Sequence, residues 1–153
     1  MTVARDYQRS RVYAWEQAEV VPHGRSRVPF ATAQGMVDAI WAESGLRYPP
    51  KVEKLPRQSR RLLANATRLV LRLPDALPCW CLLHELAHAM AATHEGESDL
   101  HGPRFMGLYL RLLVRYLRLP EAALLTSSRA AGIDVDPDAV PPFLDPPQQQ
   151  TVG

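Results

Sequence analysis

Residues 79–93, CWCLLHELAHAMAAT, decide the fold because they predict a buried helix that carries two histidines four positions apart. The apolar residues of this stretch occupy more than one helical face, which is typical of a central helix packed on several sides. Asp75 or Pro78 can begin the helix. On such a helix His84 and His88 lie on one face, one turn apart, so both imidazoles can reach the same ion.

Glu85 lies about 100° round the helix from His84, because an α-helix has about 3.6 residues per turn. It cannot easily join the same coordination shell, but it can reach a water at an open position of the metal. The motif His84-Glu85-Leu86-Ala87-His88 therefore separates two metal ligands from one base, as a hydrolytic zinc site requires. The sequence predicts one bound zinc ion and a catalytic role for Glu85 as general base.

A catalytic zinc usually takes three protein ligands and one water, and two histidines compete for the third place. His94 follows His88 by six residues, the spacing of metzincins, but their usual glycine is Ala91 here. Without that glycine the chain need not turn back towards the metal. His101 precedes Gly102-Pro103 at the start of the next predicted helix, where a ligand would tie two helices together. The sequence favours His101, with His94 as the alternative; Glu95, Glu97 and Asp99 are weaker candidates.

The rest of the chain predicts further helices around a small sheet. Residues 67–73, TRLVLRL, alternate as a strand with one buried face would, with Leu69, Leu71 and Leu73 pointing one way. Residues 52–55 predict a short strand, and residues 1–20 fit helix and strand equally. Residues 21–30 read as a loop. Helices are predicted over residues 33–44 (capped by Thr32 and ended by Gly45), 103–119 and 121–130.

Length and composition indicate one domain. A chain of 153 residues can bury a sizeable core without disulfides, and Cys79 and Cys81 are too close in sequence for an ordinary bridge, so both are expected in or beside the core. The N-terminus lacks the apolar segment of a signal peptide, and no apolar run is long enough to cross a membrane. We therefore expect a cytoplasmic protein. From residue 133 the chain is Pro-rich and polar, which predicts an extended or disordered tail over residues 133–153.

Charge is unevenly distributed, although the net charge is only +2. Residues 1–74 contain 13 Lys or Arg and 6 Asp or Glu, whereas residues 75–153 contain 5 and 10. A basic half can face an anionic partner or simply solvent. Nucleic acid is therefore an alternative partner, in a module where zinc is structural and the basic half binds; Trp15, amid arginines, could then meet a base.

The chain resembles the SprT/Spartan-like zincins. The matching parts are His84-Glu85-Leu86-Ala87-His88 and, after an intervening stretch, His101-Gly102-Pro103-Arg104-Phe105 at the start of a helix. The beginning, RDYQRSRVYAWE, also resembles that of a group of uncharacterised bacterial metallohydrolases of this type. The specific match covers about residues 67–118.

The resemblance implies an α+β fold: a minimal zincin-like domain over residues 1–132, with a small antiparallel or mixed sheet packed on the central helix. It implies zinc ligands His84, His88 and His101, the catalytic residue Glu85, and a protein or peptide substrate. The DNA-repair members cleave proteins on DNA, but many carry a C-terminal zinc ribbon, which two cysteines cannot form. An oxyanion donor is also expected, and the sequence leaves four candidates: Tyr48, Arg104, Tyr109 and Tyr116.

Overall fold

The computed structural model describes residues 6–56 and 64–144. Its α-helices are α1 (Arg9–Glu19), α2 (Phe30–Glu43), α3 (Cys79–Ala91), α4 (Pro103–Tyr116) and α5 (Glu121–Ala130). A 3₁₀ turn at Val21–His23 follows α1. Its strands are β1 (Arg27–Pro29), β2 (Lys51–Lys54), β3 (Asn65–Ala66), β4 (Val70–Leu73) and β5 (Ala76–Pro78).

The strands form two small sheets, which confirms the predicted α+β class. One sheet has the order β2-β4-β3, with β2 parallel and β3 antiparallel to the central strand β4. The other is the antiparallel pair of β1 and β5. Among the described residues, no helix is long and apolar enough to cross a bilayer.

Helix α3 lies at the centre of the core, as its sequence predicts. From Cys81 to Ala91 every side chain is buried except that of His88, which is partly exposed. The helix packs mainly against α4 and also meets strands of both sheets. It ends at Ala91, two residues before the predicted end, because Ala92 is extended and Thr93 pairs with Glu97 in a tight turn.

Strand β4 is shorter than predicted. Leu71 and Leu73 are fully buried, but Leu69 is 52% exposed, so the prediction that all three leucines share one buried face is wrong. The Thr67 hydroxyl accepts the backbone N–H groups of Leu69 and Val70, at 3.2 and 3.0 Å, and this turn precedes the strand.

The helix predicted over residues 121–130 is confirmed as α5, and α4 begins at Pro103 as predicted but ends at Tyr116 rather than at residue 119. Helix α2 begins at Phe30 rather than after Thr32, whose hydroxyl donates to the Pro29 carbonyl and does not cap the helix. Gly45 follows α2 with a φ of +76°, as expected of a helix terminator. Residues 9–19, which the sequence leaves undecided, are helical. Part of the predicted loop 21–30 forms the strand β1 and the start of α2.

Residues 133–144 of the predicted extended or disordered tail form no helix or strand but pack on the domain. Ile133 and Ala139 are each 2% exposed, and the ring of Phe143 stacks on Trp41 at 5.7 Å between centroids. The Asp136 N–H donates to the Pro103 carbonyl at 3.0 Å. The remainder of the predicted tail, residues 145–153, lies outside the described residues.

A glycine in α4 allows this segment to approach. A Cβ on Gly107 would lie 1.9 Å from the Asp136 carbonyl oxygen and 2.9 Å from the Ala139 Cβ. Because the first of these contacts is with backbone, no side-chain rotation would relieve it, and only a shift of residues 136–139 or of α4 would make room.

We expect Gly107→Ala to lower the free energy of unfolding by about 1–3 kcal/mol, the usual cost of overpacking. Gly35→Ala is the matched control, since Gly35 also lies in a helix and a Cβ there meets nothing within 4 Å. It should raise stability by up to about 1 kcal/mol, the difference in helix propensity. Urea unfolding of both variants measures the contrast, and equal effects would contradict the close approach.

Candidate metal centre

Three histidine nitrogens converge at the centre of the molecule. His84 and His88 come from α3, one turn apart, and His101 comes from the residues before α4. The Nε2 atom of His88 lies 3.2 Å from that of His84 and 3.2 Å from that of His101, and the last two are 3.3 Å apart. The three rings therefore lie close enough to bind one metal ion.

The spacing of these nitrogens fits a tetrahedral metal. An ion at about 2.0–2.1 Å from each nitrogen, with tetrahedral angles, holds its ligands about 3.3 Å apart. Where Nδ1 carries the proton in His84 and His101, the Nε2 lone pairs of these two rings face each other without a proton between them. Nitrogen donors suit zinc and several other divalent metals, so the donor set does not identify the metal.

Glu16, on α1, orients the His84 ring. Its Oε2 atom lies 2.6 Å from His84 Nδ1 and also accepts the hydroxyl of Tyr109 at 2.6 Å. Glu16 is 2% exposed and Tyr109 is fully buried. A carboxylate accepts the Nδ1 proton, which leaves the lone pair on Nε2, the nitrogen that faces the other two rings.

Asp6 has the same role at His101. Its Oδ2 atom lies 2.7 Å from His101 Nδ1, and its Oδ1 accepts the His101 backbone N–H at 3.2 Å. Gln8, 1% exposed, donates to the His101 carbonyl at 2.9 Å and accepts the Asp134 N–H at 2.7 Å. The loop that carries His101 is thus held by the first helix and its preceding turn on one side and by the segment after α5 on the other.

Burial and these carboxylates determine the protonation of the histidines. Burial lowers the pKa of His88 far below its usual range, and the charges of His84 and His101 lower it further. Burial also lowers the pKa of His101, although Asp6 opposes the shift. For His84, burial lowers the pKa, but the hydrogen bond and charge of Glu16 outweigh it and the pKa is raised. His88 and His101 therefore favour the neutral form that binds metals.

Glu85 lies beside the three rings with one oxygen unpaired. Its side chain is buried, and its Oε2 atom is closed to solvent and has no hydrogen-bond partner within the described part of the chain. Burial raises the pKa of Glu85 to about 7, while the charge of His84 opposes the rise. With His84 and His88, it lines a cleft of about 330 Å³. The rest of the wall consists of residues from four parts of the chain: Tyr13, Ala64, Asn65, Ala66, Thr67, Arg68, Ala92, Gly96, Ser98 and Leu100.

The alternative third ligand lies apart from this cluster. His94 is exposed, and its ring lies 6.1 Å from that of Phe143. Of the acidic residues nearby, Glu95 and Glu97 are exposed. None of these three belongs to the group of residues that could share an ion.

Asp99 caps α4 instead of binding at the cluster. Its Oδ2 atom accepts the N–H of Arg104 at 2.7 Å, and its Oδ1 accepts that of Phe105 at 3.2 Å. These are unpaired donors of the first helical turn. A Cβ on Gly102 would lie 2.7 Å from the Asp99 carboxylate, so the cap needs glycine there. Gly102 and Pro103 therefore fix the approach of His101 through the cap and the helix start.

The predicted oxyanion donors do not gather at the cleft. Tyr109 donates to Glu16, Tyr116 donates to Glu43 at 2.8 Å, and Tyr48 is 79% exposed. None of these, nor the exposed Arg104, lines the cleft. The tyrosine that does is Tyr13, whose ring centroid lies 5.1 Å from that of His101 and 6.2 Å from that of His84.

Sequence reasoning missed the contribution of the first helix and the turn before it. Asp6, Gln8, Tyr13 and Glu16 all lie in the stretch RDYQRSRVYAWE. The signal was present: positions 8, 12, 15 and 16 share a helical face, and two of them are polar although Val12 and Trp15 are apolar. A buried glutamine and glutamate on such a face require partners inside the protein.

Cys79, Cys81 and Trp15 contribute to packing. Both cysteines are free thiols, and burial raises the pKa of Cys81 to about 12. Trp15 is 4% exposed and donates to the Ser127 hydroxyl at 2.8 Å. Its ring is therefore closed to a stacking base in this structure.

No protein-family model matches the chain, and comparisons with curated proteins and with solved structures give no significant match. The likeness to SprT-like zincins thus rests on the residues of the two motifs and stays a prediction.

We expect Glu16→Gln to weaken zinc binding by about 10–100-fold, the usual effect of losing a partner of a metal-binding histidine. The neutral amide accepts the Nδ1 proton of His84 less strongly and holds the ring less firmly. Competition with a chromogenic chelator measures the affinity. Glu19→Gln, an exposed position on the same helix, is the matched control. Equal affinity in the two variants would show that Glu16 does not orient the ligand.

Proposed function

We propose that this chain is a zinc-dependent hydrolase, and specifically a SprT-like peptidase in which Glu85 is the general base. The observation that carries the proposal is the triangle of Nε2 atoms from His84, His88 and His101, with sides of 3.2–3.3 Å, beside a buried glutamate that has an unpaired oxygen. Two of the histidines, His84 and His88, line the same cleft as Glu85, so a metal, a base and a substrate would meet there.

His84, His88 and His101 would hold the ion through Nε2, with Glu16 and Asp6 fixing two of the rings. When bound, zinc lowers the pKa of a coordinated water and polarises a carbonyl group. No further His, Cys, Asp or Glu of the described residues belongs to the cluster, so an ion held by the three histidines would have room for water or substrate. The structural-zinc alternative needs such a fourth ligand, so the three-histidine set supports hydrolysis.

Glu85 would move the proton. Its carboxyl group lines the cleft, and its Oε2 atom has no donor among the described residues. Because that oxygen is closed to solvent in this conformation, the side chain would turn towards the cleft to accept a proton from the attacking water. In the metal-free chain burial raises the pKa of Glu85 to about 7, where a carboxyl group can both accept and release a proton. The same carboxyl group can then protonate the leaving amine of a peptide bond.

A peptide substrate would bind along β3. The sequence suggests that strand 67–73 could pair with an extended peptide if it lay at a sheet edge, but β4 is the central strand, with β2 and β3 on either side. Within the described ranges, β3 pairs only with β4, and residues 64–67 line the cleft. An extended chain added to this edge would place its backbone beside Glu85 and the histidines.

The third ligand is tested by metal analysis of purified variants. We expect wild type and His94→Ala to retain one zinc per chain and His101→Ala to lose it, since His101 belongs to the cluster and His94 is exposed. Plasma emission spectrometry gives the metal content, and circular dichroism checks the fold of each variant. Loss of zinc from His94→Ala alone would assign the ligand to His94 and contradict this site.

The base is tested by Glu85→Gln. We expect this variant to retain zinc and its fold while peptide hydrolysis falls by at least about 100-fold, the contribution of a positioned general base. A quenched fluorescent peptide library serves as substrate, with and without DNA. Glu95→Gln, at an exposed position in the following loop, is the matched control and should keep full activity. An active Glu85→Gln protein would remove Glu85 from the mechanism.

A further inference from the structure

A buried arginine in the wall of the cleft has no role in the proposed mechanism. Arg68 lies between β3 and β4 and is 2% exposed, which is rare for an arginine without a charged partner. It lines the same cleft as Glu85, His84 and His88.

The guanidinium group of Arg68 donates fewer hydrogen bonds than it can. Its Nη2 atom donates to the Arg47 carbonyl at 3.3 Å, whereas its Nε and Nη1 atoms have no acceptor among the residues that the structure describes. Within the described ranges no carboxylate forms an ion pair with it. A buried guanidinium normally pairs with an anion, because loss of hydration is otherwise uncompensated.

Two aromatic rings hold the group in place. The Arg68 Cζ atom lies 4.7 Å from the centroid of Trp41 and 4.3 Å from that of Phe143, within the range of a cation–π contact. These contacts compensate part of the charge and orient the guanidinium, but they leave the Nε and Nη1 donors unpaired. The result is an oriented donor group in the cleft wall, with two donors closed to solvent in this conformation.

We propose that Arg68 forms a carboxylate-binding subsite of the cleft. Arginine matches the geometry of a carboxylate better than any other side chain. In a peptide, the carboxylate is either the C-terminus or an Asp or Glu side chain. The inference that the bound carboxylate belongs to a substrate rests on the proposed peptidase function. The inference that Arg68 binds a carboxylate does not. Since Nε and Nη1 are closed to solvent in this conformation, the guanidinium or the Phe143 segment shifts to admit the ligand.

The binding test uses small blocked amino acids and needs no turnover. N-acetylglycine carries a C-terminal carboxylate, N-acetylglutamate amide carries a side-chain carboxylate, and N-acetylglycinamide and N-acetylglutamine amide are their neutral counterparts. Each is titrated into the zinc-saturated chain, and the ¹⁵N shift of Arg68 Nε is followed, assigned by its absence in Arg68→Lys. The same titration without zinc distinguishes a carboxylate that binds at Arg68 from one that binds at the metal.

We expect a saturable shift with at least one carboxylate and none with the neutral amides; the carboxylate that binds identifies the source. Arg68→Gln should lose this binding, measured by calorimetry, while Arg72→Gln, at a partly exposed arginine of β4, should keep it. Equal shifts from acids and amides, no shift from any ligand, or unchanged binding to folded Arg68→Gln would overturn the subsite.

Peptide hydrolysis distinguishes this proposal from the function on which it partly rests. If the zinc-loaded wild type cleaves no peptide but binds a carboxylate at Arg68, the peptidase assignment fails and the subsite stands. If it cleaves peptides with no preference for a carboxylate, and Arg68→Gln cleaves the same bonds at the same rates, the subsite fails and the peptidase stands.

Discussion

The rest of the site depends on the convergence of three imidazole nitrogens at 3.2–3.3 Å in the interior of the protein. Such a cluster is unfavourable unless each ring presents a lone pair and an ion fills the space between them. The protein meets the first requirement with carboxylates on the far side of two rings. Glu16 and Asp6 hold the Nδ1 protons of His84 and His101, so the accepting nitrogens face inward.

This requirement explains the arrangement of the helices. The two histidines of α3 need only one helical turn, but the third comes from the residues just before α4, and both carboxylates come from α1 or the turn before it. The three helices must therefore meet at one point. Tyr109 of α4 and Glu16 of α1 join there through a buried hydrogen bond, and Asp99 fixes the start of α4 just after His101. The hydrogen bonds that join these helices in the core therefore also position the metal-binding histidines.

The sequence predicted what depends on local spacing. The two histidines and Glu85 follow from the helical period, and His101 from its place before Gly102-Pro103. It could not predict partners that are far apart along the chain, such as Glu16 and His84, 68 positions apart. The same limit explains the strand and the tail. Leu69 alternates with its neighbours, but Thr67 forms a turn there, and residues 133–144 are Pro-rich yet pack where Gly107 leaves space.

The position of the two carboxylates also changes how the basic half of the sequence is understood. Residues 1–74 contain only 6 acidic residues, and two of them, Asp6 and Glu16, point inward to the histidines. Among the described residues of this half, these two carboxylates are therefore paired with histidines rather than with exposed arginines. Arg68 is the opposite case: a cation that lies inside and, among the described residues, has no carboxylate paired with it. Of the described residues of this half, the two buried charged side chains are therefore Glu16, which holds a histidine of the cluster, and Arg68, which lies in the cleft wall.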